Sequence, residues 1–302
     1  MGTTLAVSAS ADSRQAGLSA IDSALEAVRQ VDAVINDWRS DTEVGRINRA
    51  PPGKVLVISP ALGSYLQEIV AWTRASGGTF DPGIGALVDA WDLRGAGRLP
   101  TDSALGIALG RSGLLRFSPT HHTIQRPAEG SWIDAGGFGK GAALRAAREE
   151  LRKHPVHAAI LNFGGQILVM GDTVLEVEVA HPHERFHPIV RLRLQEGSVS
   201  TTSQSERFVE TAGRRLGHVL DPRTGIPVTA WGSVTVVHPD PLVADILSTA
   251  LFVMGPDQGM RWVKDRGVAA LFLITQGDSV GMRWSPAMQQ ILVTPSTHSR
   301  GN

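Results

Sequence analysis

An α+β fold, with antiparallel-rich sheets flanked by helices, is what the sequence predicts, on three observations. Between Leu18 and Ile35 the apolar residues Leu18, Ile21, Leu25, Val28, Val31 and Ile35 recur every three or four positions, which is one face of a helix. Val174–His181 (VLEVEVAH) and Ile189–Gln195 (IVRLRLQ) alternate strictly between apolar and polar, as half-buried antiparallel strands do. No internal repeat, low-complexity tract or long linker divides the 302 residues, so residues 1–302 are expected to form a single compact unit with sheets and helices around shared cores.

The remaining elements follow in chain order. VLVIS (Val55–Ser59) reads as a strand after the turn APPGK, and Leu62, Leu66, Ile69 and Val70 restore the helical spacing beyond it. GGTFDPGIGALVDAW (Gly77–Trp91) ends that helix with glycines and presents Asp81 in a turn, and His121 and His122 read as surface residues before a strand. A helix is expected from about Gly141, followed by a strand at AAILNF (Ala158–Phe163). Further strands are expected at GSVTVV (Gly232–Val237) and ALFLIT (Ala270–Thr275). ADILSTALFVMG (Ala244–Gly255) reads as helix, which places Asp245 and Thr249 on one face, where a carboxylate and a hydroxyl can share a hard cation.

Composition removes several function classes. Lys+Arg and Asp+Glu both total 29, so no global field draws the chain to nucleic acid or an acidic membrane, and a charged ligand must be held by local groups. There is no cysteine, which excludes disulfides, thiolate metal sites and a thiol nucleophile. The N-terminal MGTTLAVSASADSRQ lacks a basic region followed by an apolar core, and no segment is apolar for the length of a membrane span. As written, the chain is expected to be cytoplasmic; a missing leader would instead make it exported or membrane-anchored.

The loop IDAGGFGKGAAL (Ile133–Leu144) carries an acid, four glycines and a lysine ahead of an alanine-rich helix. A P-loop needs Ser or Thr directly after the lysine, and Gly141 stands there. A dinucleotide fingerprint can be laid over Gly137, Gly139 and Ala142, yet the next strand ends without the acidic residue that motif requires. Taken alone, the loop reads as a tight strand-to-helix turn. GHVLDPRTGIPV (Gly217–Val228) adds a turn with a histidine, an acid, an arginine and a hydroxyl. HPHERFHP, with His181, His183 and His187, superficially suggests zinc, but no fourth ligand is evident and its prolines suggest an exposed hairpin.

Six segments in order resemble the flavin transferase (ApbE) family, the FAD:protein FMN transferases, from Met1 to about Gly267. They are MGTT, WRSDTEVGRIN (Trp38–Asn48), GGTFDP, IDAGGFGKG, LNFGGQI with HVLDPRTG, and ADILSTALFVMG. The resemblance implies a T-fold-like core, FAD as substrate, Mg²⁺ as cofactor, and transfer of FMN to a Thr or Ser hydroxyl of an acceptor flavoprotein with release of AMP. It also implies roles for individual residues. Met1 would lie against the flavin, and Trp38 would stack on the isoalloxazine in place of the family's usual tyrosine. Thr79, Phe80 and Asp81 match the segment that contacts the nucleotide through backbone and carboxylate, and Asp134 and Lys140 match FAD-binding positions. Gly137 (through its carbonyl), Asp245 and Thr249 match the metal ligands, and His218, on the strand before DPRTG, matches the histidine that takes the acceptor's proton.

These residue types suit phosphoryl transfer, which needs alignment, a divalent cation and fixed positive donors more than a covalent nucleophile. Lys140 and the N–H groups at the start of its helix are expected to supply such donors. Two departures from the family pattern bear on the acceptor side and the loop. Phe138 and Gly139 stand where members commonly have Ile-Ala, and in TTSQSERF (Thr201–Phe208) Ser203 and Ser205 replace a glycine and an aromatic. Two alternatives remain at this level: a Mg²⁺-dependent FAD pyrophosphatase giving FMN and AMP, and a non-catalytic FAD-binding protein.

Overall fold

The computed structural model describes residues 2–204, 208–211, 213–277 and 279–293. In chain order the elements are β1 (Leu5–Ala11), α1 (Arg14–Ile35), α2 (Glu43–Arg49), β2 (Val55–Val57), α3 (Pro60–Ala75), α4 (Gly85–Ala90) and α5 (Asp102–Arg111). A 3-10 turn (Leu114–Phe117), β3 (Thr123–Gln125), α6 (Gly139–Leu151), β4 (Val156–Phe163), β5 (Gln166–Gly171), β6 (Leu175–His181) and β7 (Glu184–Leu194) follow. The chain continues through β8 (Gly197–Ser203), β9 (Phe208–Thr211), β10 (Arg214–Gly217), β11 (Gly232–His238), α7 (Pro241–Lys264), β12 (Ala269–Gln276), β13 (Ser279–Trp284) and α8 (Pro286–Gln289).

Seven strands form one sheet in the order β1-β4-β5-β8-β11-β12-β13, with every neighbouring pair antiparallel. Alternation along the central strands decides what each face meets. Val234, Val236, Ala270 and Phe272 join the core formed with α1, α3, α6 and α7. Val199, Val237, Leu271 and Leu273 face the other way. There the two strongly alternating segments read from the sequence, β6 and β7, pair with each other as a hairpin outside the seven-stranded sheet, with an isolated antiparallel bridge from Leu192 to Leu292, and bury Val177, Val179, Leu192 and Leu194 over the sheet. Their polar alternate residues remain outside, so a period-two pattern serves a covering hairpin as well as a sheet strand.

Most helices start on local caps. The hydroxyls of Ser13, Thr42 and Ser59 accept the N–H groups of Ala16, Gly45 and Leu62, and Asp240 caps α7 through Leu242. Arg145 of α6 joins three elements by donating to Glu68 of α3 at 2.6 and 2.8 Å and to Asp240 at 2.8 Å. Burial alone would weaken its protonation, but the two carboxylates outweigh it and hold the guanidinium more firmly charged than usual. α6 itself has no side-chain cap from its own flank. It is capped from α7 instead: the Gly141 N–H donates to Asp245 Oδ2 at 2.9 Å.

That contact requires the helices to approach closely. A Cβ at position 141 would lie 2.6 Å from Leu242 Cα and 2.8 Å from Asp245 Cβ, and against the Pro241 carbonyl. The glycine that excludes a P-loop is therefore the one that admits α7. Gly141→Ala should force α6 and α7 apart and lower stability by about 1–3 kcal/mol; urea denaturation measures this, and an unchanged midpoint would refute the close-packing account.

Candidate functional site

The segments singled out in the sequence are fastened to one another. Asn48, closing WRSDTEVGRIN, accepts the Ile133 N–H at 2.8 Å and donates to the Ile133 carbonyl at 2.9 Å, which fixes the start of the glycine loop. The Asp134 N–H donates to the Pro82 carbonyl at 2.8 Å, tying that loop to GGTFDP. The Gly164 N–H of LNFGGQI donates to the Thr4 carbonyl at 3.1 Å, beside MGTT. Arg223 of DPRTG lies in van der Waals reach of Gly78, and the Trp91 indole N–H donates to the Gly225 carbonyl at 2.7 Å. Lys140 Nζ meets Asp245 Oδ1 at 3.2 Å, joining the glycine loop to α7.

The three expected metal ligands come together. Asp245 is 2% exposed, and Thr249 lies one turn on, its hydroxyl donating to the Asp245 carbonyl at 3.3 Å. The glycine loop passes directly over this pair: a Cβ at Gly137 would sit 3.3 Å from Thr249 Oγ1 and 3.1 Å from Phe80. Carboxylate, hydroxyl and peptide oxygen are hard donors, the set Mg²⁺ prefers. Among the described residues no three His, Cys, Asp or Glu side chains group around a metal position. With one carboxylate, one hydroxyl and one peptide oxygen as protein donors, a Mg²⁺ held here would complete its shell with oxygens of substrate or water. The residues present fit that ion.

Lys140 and the first-turn N–H of α6, expected from the sequence to meet phosphate, both meet Asp245. The reason is electrostatic: a carboxylate this deeply buried must be compensated, and the positive ends of a lysine and a helix start do so. Each oxygen keeps a second lone pair for another partner.

Of the turn 79–81, Thr79 and Phe80 are buried and Asp81 is half-buried. The Thr79 hydroxyl donates to the Ser76 carbonyl at 3.1 Å, the Phe80 N–H donates to Ser76 Oγ at 3.3 Å, and the Phe80 ring is buried. Asp81 Oδ1 accepts the N–H groups of Gly83 (2.7 Å) and Leu114 (2.8 Å). Burial raises its carboxyl above the ordinary range, and these two bonds oppose the shift without cancelling it.

Trp38 is 65% exposed, so it is no core residue; it stands as an open aromatic surface beside the glycine loop. Asp134 accepts the Gly136 N–H at 2.7 Å through Oδ1 and an Arg94 N–H at 2.7 Å through Oδ2. Arg94 escaped the sequence reading altogether. It lies in a glycine-containing loop with no motif spacing, and only its neighbours in space give it a role. The same guanidinium nitrogen donates to Asp37, and its ring-like plane lies 4.1 Å from the Trp38 centroid and 4.2 Å from that of Trp132. Burial, then the charge of Asp134, raise the Asp37 carboxyl, with Arg94 opposing them.

His218 is exposed and lies in a bend just past β10 (Arg214–Gly217), not on the strand as the sequence suggested. The turn beyond it is rigid: Arg223 clamps Asp221 at 2.9 and 2.8 Å, and the Gly225 N–H closes onto the Asp221 carbonyl at 2.8 Å. Met1 and Ser205 lie outside the described residues. His181, His183 and His187 sit at the β6–β7 hairpin, where the His183 N–H donates to His181 Nδ1 at 3.1 Å.

Known proteins resemble this chain over most of its length. A model described as the ApbE family matches residues 1–272. The chain is 28% identical over 282 residues to the FAD:protein FMN transferase of Treponema pallidum, covering 84% of this chain and 77% of that protein. It is 29% identical over 255 residues to the FAD:protein FMN transferase of Rhodobacter capsulatus, covering 81% of this chain and 49% of the relative. Among solved structures, the ApbE protein of Thermotoga maritima superposes with a TM-score of 0.85 at 25% identity, covering 97% of each chain. The fold is also that of the apo flavinyl transferase ApbE of Pseudomonas stutzeri, with a TM-score of 0.82, 23% identity, and 96% and 94% of the two chains covered.

Asp81 allows binding and folding to be separated. Both of its backbone bonds fall on Oδ1, which asparagine retains. A carboxyl raised in the folded state costs stability as pH rises from the unfolded value of 3.8 through the folded one. Asp81→Asn should therefore be at least as stable as the parent at pH 7, with a gap that narrows toward pH 4, while its affinity for FAD falls. Thermal melts across that range and FAD titration test this; a variant less stable at pH 7 would overturn it.

Proposed function

The chain belongs to the ApbE family, and on that premise we propose that it is a flavin transferase, with residues 1–302 acting as one catalytic unit. It would take FAD and an acceptor flavoprotein, attach FMN to a Thr or Ser hydroxyl, depend on Mg²⁺ and release AMP. The observation that carries this reading is the convergence of Gly137, Lys140, Asp245 and Thr249, from two segments about a hundred residues apart, beside the Asp81 turn and the open face of Trp38.

In this reading the acceptor Oγ attacks the phosphorus bearing the riboflavin moiety. A P–O bond forms to Oγ, the bond to the bridging oxygen breaks, and AMP departs with that oxygen. The hydroxyl proton passes to an imidazole nitrogen of His218 and from there to water; the exposure of His218 beside a rigid turn suits access by a protein substrate. Asp245, Thr249 and the Gly137 carbonyl would hold Mg²⁺. That ion, when bound, would draw charge from the phosphoryl oxygens and from the departing AMP. Lys140 and the Gly141 N–H keep the Asp245 carboxylate oriented, so its direction is set before substrate arrives. Trp38 would stack on the isoalloxazine, and Asp81 and Asp134 would receive hydrogen bonds from the nucleotide. The chain's own resource is alignment, the main requirement of phosphoryl transfer.

Incubation with FAD, Mg²⁺ and candidate acceptors, followed by intact mass and nucleotide chromatography, tests the assignment. Acceptor gaining FMN with stoichiometric AMP is expected; free FMN plus AMP would identify a pyrophosphatase, and unchanged FAD a binding protein. Asp245→Asn should abolish transfer while keeping much of the FAD affinity, with Thr249→Ala as a companion that leaves the α6 cap intact. Full activity of either with magnesium limiting would remove it from the metal site.

His218→Ala should slow single-turnover transfer by roughly 10²–10⁴-fold with FAD binding near normal. A variant that melts earlier yet transfers at the parent rate would show that the histidine only supports the turn.

A further inference from the structure

Arg94 occupies a position that the reaction chemistry leaves unexplained. Its guanidinium lies between two indoles, 4.1 Å from the Trp38 centroid and 4.2 Å from the Trp132 centroid. One of its terminal nitrogens, Nη2, donates to two carboxylates from different segments: Asp37, beside Trp38, and Asp134, of the glycine loop, at 2.7 Å. Trp132 is fixed in turn, its indole N–H donating to Asp89 at 2.8 Å and its carbonyl accepting the Gly85 N–H at 3.1 Å. One face of Trp38 is thus covered by a cation that is anchored on three sides. The ring is still 65% exposed, so its opposite face is open to solvent.

An exposed tryptophan after a helix end has several rotamers, and ordering it costs a ligand side-chain entropy on binding. A planar guanidinium stacked on its back, with that plane fixed by two carboxylates, removes the freedom beforehand. We infer that Arg94 is a positioning residue for FAD: by clamping Trp38 against Trp132 it presents the outer indole face to the isoalloxazine in a single orientation. The inference rests on the reading of Trp38 as the flavin platform.

The clamp also couples segments. Asp37 precedes Trp38 directly and Asp134 lies in the glycine loop, so the guanidinium holds the platform in register with the loop over the Asp245–Thr249 pair. Loss of the clamp should therefore raise KM for FAD and leave kcat largely in place, because the groups at the phosphorus are untouched.

Arg94→Met, Arg94→Lys, Trp38→Ala and the double variants with Trp38→Ala decide the matter, read by FAD titration, kinetics, thermal melts and emission of the bound flavin, which a stacked indole quenches. Trp38→Ala should weaken FAD at least about fivefold. Arg94→Met should weaken it by roughly threefold or more, raise bound-flavin emission toward the Trp38→Ala level, and add nothing in the Trp38→Ala background. Arg94→Lys keeps a charge for both carboxylates but loses the planar stack, so it should show the same direction of change at near-parent stability, which covers the case of a poorly folded methionine variant. An Arg94→Lys enzyme with parent FAD affinity and emission, alongside a weakened Trp38→Ala, would overturn the clamp alone. Equal losses from Arg94→Met with and without Trp38 would also overturn it, since the arginine would then act independently of the indole. Parent affinity in Trp38→Ala would overturn the platform reading and the clamp with it.

Discussion

A buried carboxylate at the start of a helix organises this protein. Asp245, on α7, caps α6 through the Gly141 N–H and pairs with Lys140, and it can do so only because position 141 has no side chain to hold the helices apart. Removing a charge from water to this depth is costly unless donors surround it, so the carboxylate, the lysine and the helix start form an interdependent set. The requirement fixes the distance and rotation of α6 relative to α7, and hence where the glycine loop ends and where Thr249 points.

From that contact the site is built outward by backbone hydrogen bonds more than by side-chain packing. The glycine loop is held by Asn48 on one side and by the Pro82 carbonyl on the other, and the Asp81 turn is held by Gly83 and Leu114. Such bonds set peptide positions closely, while the side chains of Trp38 and His218 are exposed. Behind them the antiparallel sheet supplies a rigid floor, with helices on one face and the β6–β7 hairpin on the other. The arrangement is an instance of a common economy of structure, in which helix termini and turns carry function because their peptide groups are not consumed by regular hydrogen bonding.

Charge is distributed in the same local manner. With equal numbers of acidic and basic residues the chain has no net field, yet Arg94 gathers Asp37 and Asp134, and Arg145 gathers Glu68 and Asp240. Each cluster joins segments far apart in sequence, and each is partly buried, where ion pairs resist screening better than they do at a surface. The clusters therefore specify register between elements, and the first of them does so at the edge of the candidate flavin platform.

Periodicity placed the helices between Leu18 and Ile35 and between Leu62 and Val70, and the two strands of the β6–β7 hairpin, because burial of one face imposes a repeat of 3.6 or 2; the central strands β11 and β12, buried on both faces, were marked by apolar runs instead. Of the candidate site, Asp245 and Thr249 could be paired from their four-residue helical spacing, while the roles expected of Asp81, Gly137 and Lys140 came only from the resemblance to the family. Three features were settled only in three dimensions. The glycine loop fitted several readings until α7 was seen to cap it; the alternating strands β6 and β7 gave no hint that they leave the main sheet; and Arg94 carried no motif at all. The Arg94 contacts and the α6 cap depend on partners from 40 to about 100 residues away, and the hairpin's place depends on its packing over the sheet; contacts of that kind leave no periodic trace in the segments that make them, because what selects those residues is the distance between elements once they have packed.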